Sequence, residues 1–115
     1  MLTPMSLAAF EVPSGQALDF QESFYERRED GTLSARFRFI MPAIGGEVGY
    51  AEVADDFLTL CEVYALPALQ DRDIPDEIVI SLADRATEFG VTNPEATQFF
   101  EAFRPEGATC IWDGF

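Results

Sequence analysis

The chain has 115 residues, 48% of them hydrophobic, and a formal net charge of −14, which suits one folded acidic domain and argues against disorder. The negative charge argues against nucleic acid and anionic membranes as partners, because a protein binds both through its own Lys and Arg side chains. The charge either keeps a Phe-rich chain soluble or attracts a basic protein partner. The sequence has no His and no Lys, so it lacks the groups for His-based catalysis, His-based zinc sites and Schiff-base chemistry, and we expect no cofactor.

The N-terminal residues carry part of an export signal. Ser6-Leu7-Ala8 has the small-x-small pattern that precedes a signal-peptidase cut, but the basic start and the apolar stretch of a complete signal are missing. The chain is then either part of a longer exported precursor or a cytoplasmic protein with an apolar end. We expect residues 1–9 to be a tail or a signal remnant and residues 10–115 to form one domain.

The first third of the domain has β-strand patterns. Phe10–Val12 predicts a short strand that ends at the turn Pro13–Gly15. In Leu18–Glu26 the alternation is imperfect, because Glu22 falls on the apolar face, which predicts an edge strand or a β-bulge. Leu33–Met41 alternates clearly and is predicted to pair with this strand as a hairpin.

The middle of the chain predicts one helix. A loop is expected at Pro42–Gly49, and Ala51–Tyr64 has apolar residues at helical spacing, with Pro67 expected to end or kink the helix. No apolar run reaches the roughly 20 residues that a transmembrane helix needs. The predicted apolar stripe of the helix consists of Val53, Phe57, Leu60, Cys61 and Tyr64.

The last third returns to strands. Glu77–Leu82 is a β-branched run that predicts an interior strand, and Ala83–Pro94 is expected to be irregular. Thr97–Arg104 fits a strand or a helix; we favour a strand, because a turn and the β-rich Cys110–Trp112 follow it as the second half of a hairpin. The predicted fold is α+β, a largely antiparallel sheet of about five strands with one main helix packed on one face.

The two cysteines, Cys61 and Cys110, are predicted on the helix stripe and on the last strand. They form either one disulfide, as in an oxidising compartment, or two buried free thiols. A helix stripe that faces the sheet could bring them within bonding range, which requires a Cα separation below about 7 Å. Trp112 lies two residues after Cys110 on the same strand face, so we expect this end of the chain to belong to the core.

Six polar residues are candidates for a site or a partner surface, although each also has a structural alternative. Arg36 and Arg38 share the polar face of one strand, where they either recognise a carboxylate or phosphate or pair with acidic neighbours. Asp84 and Arg85 follow a strand and either line a site or hold the next loop. The full set is Arg36, Arg38, Asp84, Arg85, Glu101 and Arg104.

Two further segments carry suggestive residues without a matching motif. Asp71–Glu77 concentrates carboxylates, but Pro75 stands where a calcium loop needs an oxygen ligand, so we expect a solvated loop and no metal site. Ala43–Gly49 contains glycines but matches no phosphate-binding pattern, so we expect a flexible loop.

Several segments resemble those of a known family. They are Val12–Gln16, Ala35–Ile44, Val79–Arg85 and the block "PEATQFFEAFRPEGATCIWDGF" at Pro94–Phe115, together with Cys61. From Val12 onward the chain resembles a domain-of-unknown-function family of small alphaproteobacterial proteins that usually carry an N-terminal secretion signal. The resemblance implies a periplasmic or secreted location and supports a Cys61–Cys110 disulfide. It implies no catalytic residue, because no activity is established for the family.

These observations lead to three functional hypotheses. The first is a small exported binding or accessory module without catalytic activity, which has a protein partner. The second is a cytoplasmic acidic inhibitor that mimics nucleic acid and binds a basic protein. The third is a hydrolase built on two carboxylates, for which 21 acidic residues give no specific signal.

Overall fold

The computed structural model describes residues 11–113, in which five strands form one sheet. The strands are β1 (Asp19–Arg27), β2 (Leu33–Ile40), β3 (Glu77–Ala83), β4 (Gln98–Glu106) and β5 (Thr109–Trp112). They lie side by side in chain order, and all neighbours are antiparallel except β2 and β3, which are parallel. A parallel pair needs a long crossover, and here that crossover contains the helix. The predicted α+β fold with a largely antiparallel sheet and one main helix is confirmed.

The hairpin of β1 and β2 has the irregularity that the sequence predicts. Its register shifts between Phe20 and Glu22, so that Phe20 faces Phe39 and Glu22 faces Arg38. The bulge moves the Glu22 side chain from the apolar face of the sheet to the polar face. The strand also lies at an edge of the sheet, so both features inferred from its imperfect alternation are present.

The main helix covers residues 50–68 in three segments that follow one another without a break. The first is α1 (Tyr50–Thr59), and its start is fixed by the Glu52 carboxylate, which accepts the Gly49 N–H at 2.7 Å. A π-helical segment (Leu60–Ala65) and the short α2 (Leu66–Ala68) complete it. No helix in the described part of the chain is long and apolar enough to cross a membrane.

Pro67 lies inside the helix and does not end it, contrary to one of the two predicted outcomes. A proline has no N–H to donate, and its ring clashes with the carbonyl four residues earlier in a regular α-helix. Just before Pro67 the helix widens, so that the Leu66 N–H bonds to the Cys61 carbonyl, five residues back. We attribute the continuation of the helix to this π-helical turn.

The helix packs on one face of the sheet and forms the core there. The predicted stripe is confirmed, because four of its residues are at most 1% exposed and the fifth, Tyr64, packs against the core. Alternate residues of β2 and β3 supply the opposite side, which is the period-two pattern of a sheet with one covered face. The core includes Ala35, Phe37, Phe39, Ile78, Ile80, Leu82, Phe103 and Cys110 from the sheet and Val53, Phe57, Leu60, Cys61 and Ala65 from the helix.

The segment before β1 differs from the prediction. Glu11 and Val12 form no strand, and Phe10 lies outside the described residues. The turn that follows is present, since the Gly15 N–H donates to the Val12 carbonyl at 2.9 Å and Gly15 has a φ of 78°.

A buried carboxylate on α1 holds this segment. Asp56 is fully buried and accepts hydrogen bonds from the Ser14 N–H at 2.9 Å and from the Ser14 hydroxyl at 2.5 Å. The backbone at Ser14 is therefore satisfied by a side chain, not by a neighbouring strand. This contact explains why the apolar Val12 packs beside the core without belonging to the sheet.

The two cysteines form a disulfide that joins the helix to the last strand. The Cα atoms of Cys61 and Cys110 are 6.3 Å apart, and both residues are buried. Glu62 adds a second link, because its carboxylate accepts the Cys110 N–H at 3.0 Å. The strand at the edge of the sheet is therefore attached to the helix through two successive helix residues.

The burial expected for the end of the chain is wrong for Trp112. Its strand is present, but 65% of Trp112 is exposed, whereas Cys110 is 5% exposed. Both residues lie on the helix side of β5; Cys110 is buried against the helix, to which its disulfide attaches it, whereas the indole of Trp112 is left largely uncovered. Among the described residues of β5, Cys110 thus belongs to the core and Trp112 places a large aromatic ring on the surface.

Candidate functional site

The six polar residues predicted for a site or partner surface do not form one cluster. Two lie on the outer face of the sheet, which is the face away from the helix, and two begin the loop after β3. One lies on the helix side of β4, and one lies near the end of that strand. In this order they are Arg36 and Arg38, Asp84 and Arg85, Glu101, and Arg104.

The two outer-face arginines pair with carboxylates of β1. Arg36 donates from Nε to Oε1 of Glu26 at 2.7 Å, and Arg38 donates from Nη1 to Glu22. Arg38 also donates from Nη2 to the carbonyl and the hydroxyl of Thr87, at 3.1 and 2.9 Å. Both terminal nitrogens of Arg38 are thereby engaged, and Arg38 holds the loop after β3 against the sheet, whereas among the described residues Arg36 has one hydrogen-bond partner, at Nε.

Phe89 covers both guanidinium groups from the loop. Its ring centroid is 4.9 Å from Cζ of Arg36 and 5.6 Å from Cζ of Arg38. The same ring contacts Phe24 of β1 edge to face, with 4.9 Å between the centroids. These cation–π and aromatic contacts place a ring over an otherwise polar sheet face.

Asp84 fixes the two ends of the loop from residue 84 to residue 97. Its carboxylate accepts the Thr97 N–H at 3.1 Å, and its own N–H donates to the Thr97 carbonyl at 3.0 Å. The adjacent Arg85 guanidinium, through its hydrogen bond, lowers the pKa of Asp84 below the ordinary value. Asp84 also packs so closely on Gly45 that a Cβ at Gly45 would lie 2.8 Å from the Asp84 Cβ.

The remaining arginines of the set make surface ion pairs. Arg85 lies 3.7 Å from Glu95, and Arg104 lies 3.6 Å from Asp113. All four side chains are exposed, and such pairs contribute about 0–1 kcal/mol each to stability. They leave Arg85 and Arg104 in structural roles that need no ligand.

Glu101 is held between two exposed aromatic residues, and we call Tyr50, Glu101 and Trp112 the aromatic cradle. The Tyr50 hydroxyl donates to Oε2 of Glu101, and the Trp112 indole N–H donates to Oε1. Tyr50 is the first residue of α1, Glu101 lies in the middle of β4, and Trp112 ends β5. The start of the helix and the two strands of the last hairpin therefore meet at one carboxylate.

Aromatic packing fixes the tyrosine of the cradle. Its ring contacts Phe99 edge to face at 5.7 Å and lies 5.9 Å from Phe57, measured between centroids. The hydrogen bond to Glu101 raises the pKa of Tyr50 from 10.0 to about 12. A shallow depression of about 210 Å³ adjoins the three residues and is lined also by Asp55 and Leu58 of the helix.

Sequence reasoning selected Glu101 but missed its two aromatic partners. Trp112 was expected in the core, and Tyr50 precedes the residues predicted as helix. Tyr50 is 51 positions from Glu101, so no local pattern connects these two residues. Trp112 is 11 positions from Glu101 and lies diagonally opposite it in the predicted hairpin, but its assignment to the core excluded a surface contact. Phe89 was missed for a similar reason, because it lies in a loop without periodicity. A sole tryptophan near the end of an acidic chain was the one available signal.

The described residues show no group of three or more Cys, Asp or Glu side chains placed to hold a metal ion. Carboxylates in the described part of the chain accept hydrogen bonds from arginine, from hydroxyls, from backbone N–H groups and, at Glu101, from an indole N–H. The cradle and the outer face both present hydrogen-bonding groups, charge and aromatic rings.

Comparison with protein families gives a match over nearly the whole chain. The model of a family described as "Family of unknown function (DUF6497)" matches residues 2–115. No curated protein matches, and no solved structure matches. The resemblance to a domain-of-unknown-function family is confirmed, while its alphaproteobacterial and secreted character stays an expectation.

Proposed function

We propose that this chain, which belongs to the DUF6497 family, is an exported binding module that docks a basic partner protein on its aromatic cradle. The observation that carries the proposal is the pair of hydrogen bonds from Tyr50 and Trp112 to the single carboxylate of Glu101. They hold two exposed rings around a negative charge.

The cradle has the chemistry of a site for a lysine or arginine side chain. A cation near a tryptophan or tyrosine ring is attracted by the ring's quadrupole, and a carboxylate beside the ring adds a charge-assisted hydrogen bond. Each oxygen of Glu101 accepts one hydrogen bond within the cradle and has a further lone pair. The two rings are held in place before binding, which lowers the entropy lost on binding.

Exposure and charge support the same assignment. Trp112 is 65% exposed, while Tyr50 and the neighbouring Leu58 are each 43% exposed, so the cradle joins an apolar surface of the helix. Tryptophan and tyrosine are the residue types that most often dominate the energy of protein interfaces. The net charge of −14 would accelerate the approach of a basic protein through electrostatic steering.

Export is supported by the disulfide and by the family resemblance. A buried Cys61–Cys110 bond is typical of proteins that fold in an oxidising compartment. The test is fractionation of the native host, with thiol alkylation of the protein before and after reduction. We expect the protein in the periplasmic or secreted fraction with both cysteines protected until reduction. Recovery in the cytoplasm with two free thiols would contradict export.

The binding proposal is tested by calorimetric titration with a synthetic peptide in which arginines alternate with glycines. We expect saturable binding that weakens steeply as salt rises, and at least tenfold weaker binding by Glu101→Gln and by Trp112→Ala. Glu106→Gln is the matched control, because it removes an exposed carboxylate from the same strand, away from the rings. Equal losses in Glu101→Gln and Glu106→Gln would show that the peptide follows net charge alone and would overturn the proposal.

A further inference from the structure

The outer face of the sheet carries a groove that the proposed function does not use. It lies between strands β2 to β4 and the loop that Asp84 and Thr97 tie together, and its volume is about 430 Å³. This volume falls within the range of about 300–1,000 Å³ that is typical of small-molecule sites. The cradle is on the opposite face of the sheet, so the two sites are separate.

The floor of the groove contains hydrogen-bonding groups that the protein leaves unused. Arg36 donates to Glu26 through Nε, and among residues 11–113 its two terminal nitrogens have no hydrogen-bond partner. The Ser81 hydroxyl and the Gln98 amide likewise make no side-chain hydrogen bond within that range. Ser81 is 8% exposed on the central strand, and the described residues contain no buried side-chain oxygen without a partner, so its hydroxyl is open to the groove.

Apolar residues line the rest of the groove. Val79 and Phe100 line the groove from the sheet, and Phe89 and Val91 line it from the loop. Gly90 has a φ of 84°, which lets the chain turn sharply between these two loop residues. Thr87 holds the loop to Arg38, so the groove is formed before any ligand enters.

We infer that this groove binds a small molecule with one carboxylate and an apolar or aromatic body. The terminal nitrogens of Arg36 form the planar fork that matches a carboxylate with two parallel hydrogen bonds. The Ser81 hydroxyl and the Gln98 amide are placed to complete its recognition. The apolar body then lies between Phe89 and Phe100, which are each partly exposed and offer ring faces to a ligand.

The surrounding charges favour a single negative charge on the ligand. Glu22 and Glu26 neutralise the two arginines, and Glu88 also lines the groove. A dianionic phosphate would meet these carboxylates without a second cation that has open hydrogen-bonding sites, whereas one carboxylate needs only the two terminal nitrogens of Arg36. The same chemistry exists in a free organic acid and in the C-terminus of a peptide, so the test includes both.

The test is an NMR titration of the ¹⁵N-labelled protein with phenylacetate, with the tripeptide Gly-Gly-Phe and with the amide of each. We expect phenylacetate to shift the amide signals of Ser81, Phe89, Gly90 and Gln98, with little effect at Tyr50 and Trp112. Phenylacetamide should bind at least tenfold more weakly. Tighter binding of Gly-Gly-Phe would assign the carboxylate to peptide C-termini, and tighter binding of phenylacetate would assign it to free acids.

Variants connect the binding to Arg36. Arg36→Met keeps the aliphatic stem and should weaken phenylacetate binding at least tenfold, while Arg104→Met removes an equal charge from the same face and should leave it unchanged. Glu26→Gln keeps the guanidinium and removes its competing carboxylate, so it should strengthen binding several-fold even if Arg36→Met fails to fold. Absence of shifts at millimolar phenylacetate, or equal binding by phenylacetamide, would overturn the inference.

Discussion

The indole N–H of Trp112 donates to Oε1 of Glu101, with 2.5 Å between the nitrogen and the oxygen. The register of the last hairpin explains the contact, because Trp112 lies opposite Phe103, and Glu101 is the diagonal neighbour two residues away on the same face. Cys110, two residues before Trp112, is tied to the helix by the disulfide. The exposed Trp112 ring therefore lies two residues along the strand from Cys110, which the disulfide fixes to the helix.

The Tyr50–Glu101 hydrogen bond predicts a pH-dependent stability at high pH. The pKa of Tyr50 is raised from 10.0 to about 12, so the neutral hydroxyl is the form that the folded state stabilises. The contribution is complete below pH 10 and is lost as the pH rises from about 10 to about 12. Absorbance titration of tyrosinate should show a late-ionising tyrosine that disappears in Tyr50→Phe and ionises earlier in Glu101→Gln. An unchanged titration curve in Glu101→Gln would contradict the assignment.

Removal of the disulfide should destabilise the domain strongly. The bond closes a loop between residues 49 positions apart, and the chain-entropy model gives about 4 kcal/mol for a loop of this size. We expect the double variant Cys61→Ala, Cys110→Ala to lose about this free energy of unfolding in urea denaturation. Reductant should lower the stability of the parent protein and leave the variant unchanged. A reductant effect of equal size on both proteins would show that the loss has another origin.

Asp56 should matter more to stability than its neighbour Asp55. Asp56→Ala removes the buried carboxylate that accepts two hydrogen bonds from the partly buried Ser14, for which we expect a loss of about 1–3 kcal/mol in free energy of unfolding. Asp55 is exposed, so Asp55→Ala should change stability by about 0.5 kcal/mol or less. Urea denaturation of the two variants measures the difference. Similar small effects in both would mean that the segment before β1 is not held by Asp56.

Gly45 should not tolerate a side chain. A Cβ at this position would lie 2.8 Å from the Asp84 Cβ, and Asp84 cannot retreat without releasing the Thr97 N–H. We expect Gly45→Ala to reduce the free energy of unfolding by about 1–3 kcal/mol, as overpacking does elsewhere. Gly49→Ala is the control, because its Cβ would meet only the flexible end of Glu52, at 3.3 Å. Equal thermal stability of Gly45→Ala and the parent would disprove the close packing.

Much of the fold could be predicted because its signals are local. Alternation with period two predicts β2, and helical spacing predicts the apolar stripe that includes Val53 and Phe57. Glu22 breaks the alternation of its strand, and the β-bulge lies at that position. The disulfide could be anticipated because the stripe and the last strand each contained one cysteine. The alternation correctly placed Trp112 on the same strand face as Cys110, but the burial inferred from that placement is wrong, because this face of the edge strand is not covered at Trp112.

The candidate sites could not be predicted to the same extent, because they depend on long-range packing. Glu101 meets Tyr50 only after α1 has docked on the sheet, and Phe89 reaches Arg36 only after its loop has folded over the outer face. A pattern within one segment carries no information about such meetings. The sequence indicates which residues are candidates, such as Arg36 and Glu101, but the side chains that each of them contacts depend on the fold.

The fluorescence of Trp112 gives the most direct test of the central proposal, that the aromatic cradle docks a basic partner. It is the only tryptophan in the sequence, so its emission reports on the cradle alone. Titration with the arginine–glycine peptide should produce a saturable change in emission that Glu101→Gln abolishes and Glu106→Gln preserves. Emission that stays constant while calorimetry detects binding would place the peptide elsewhere on the acidic surface and would contradict the account.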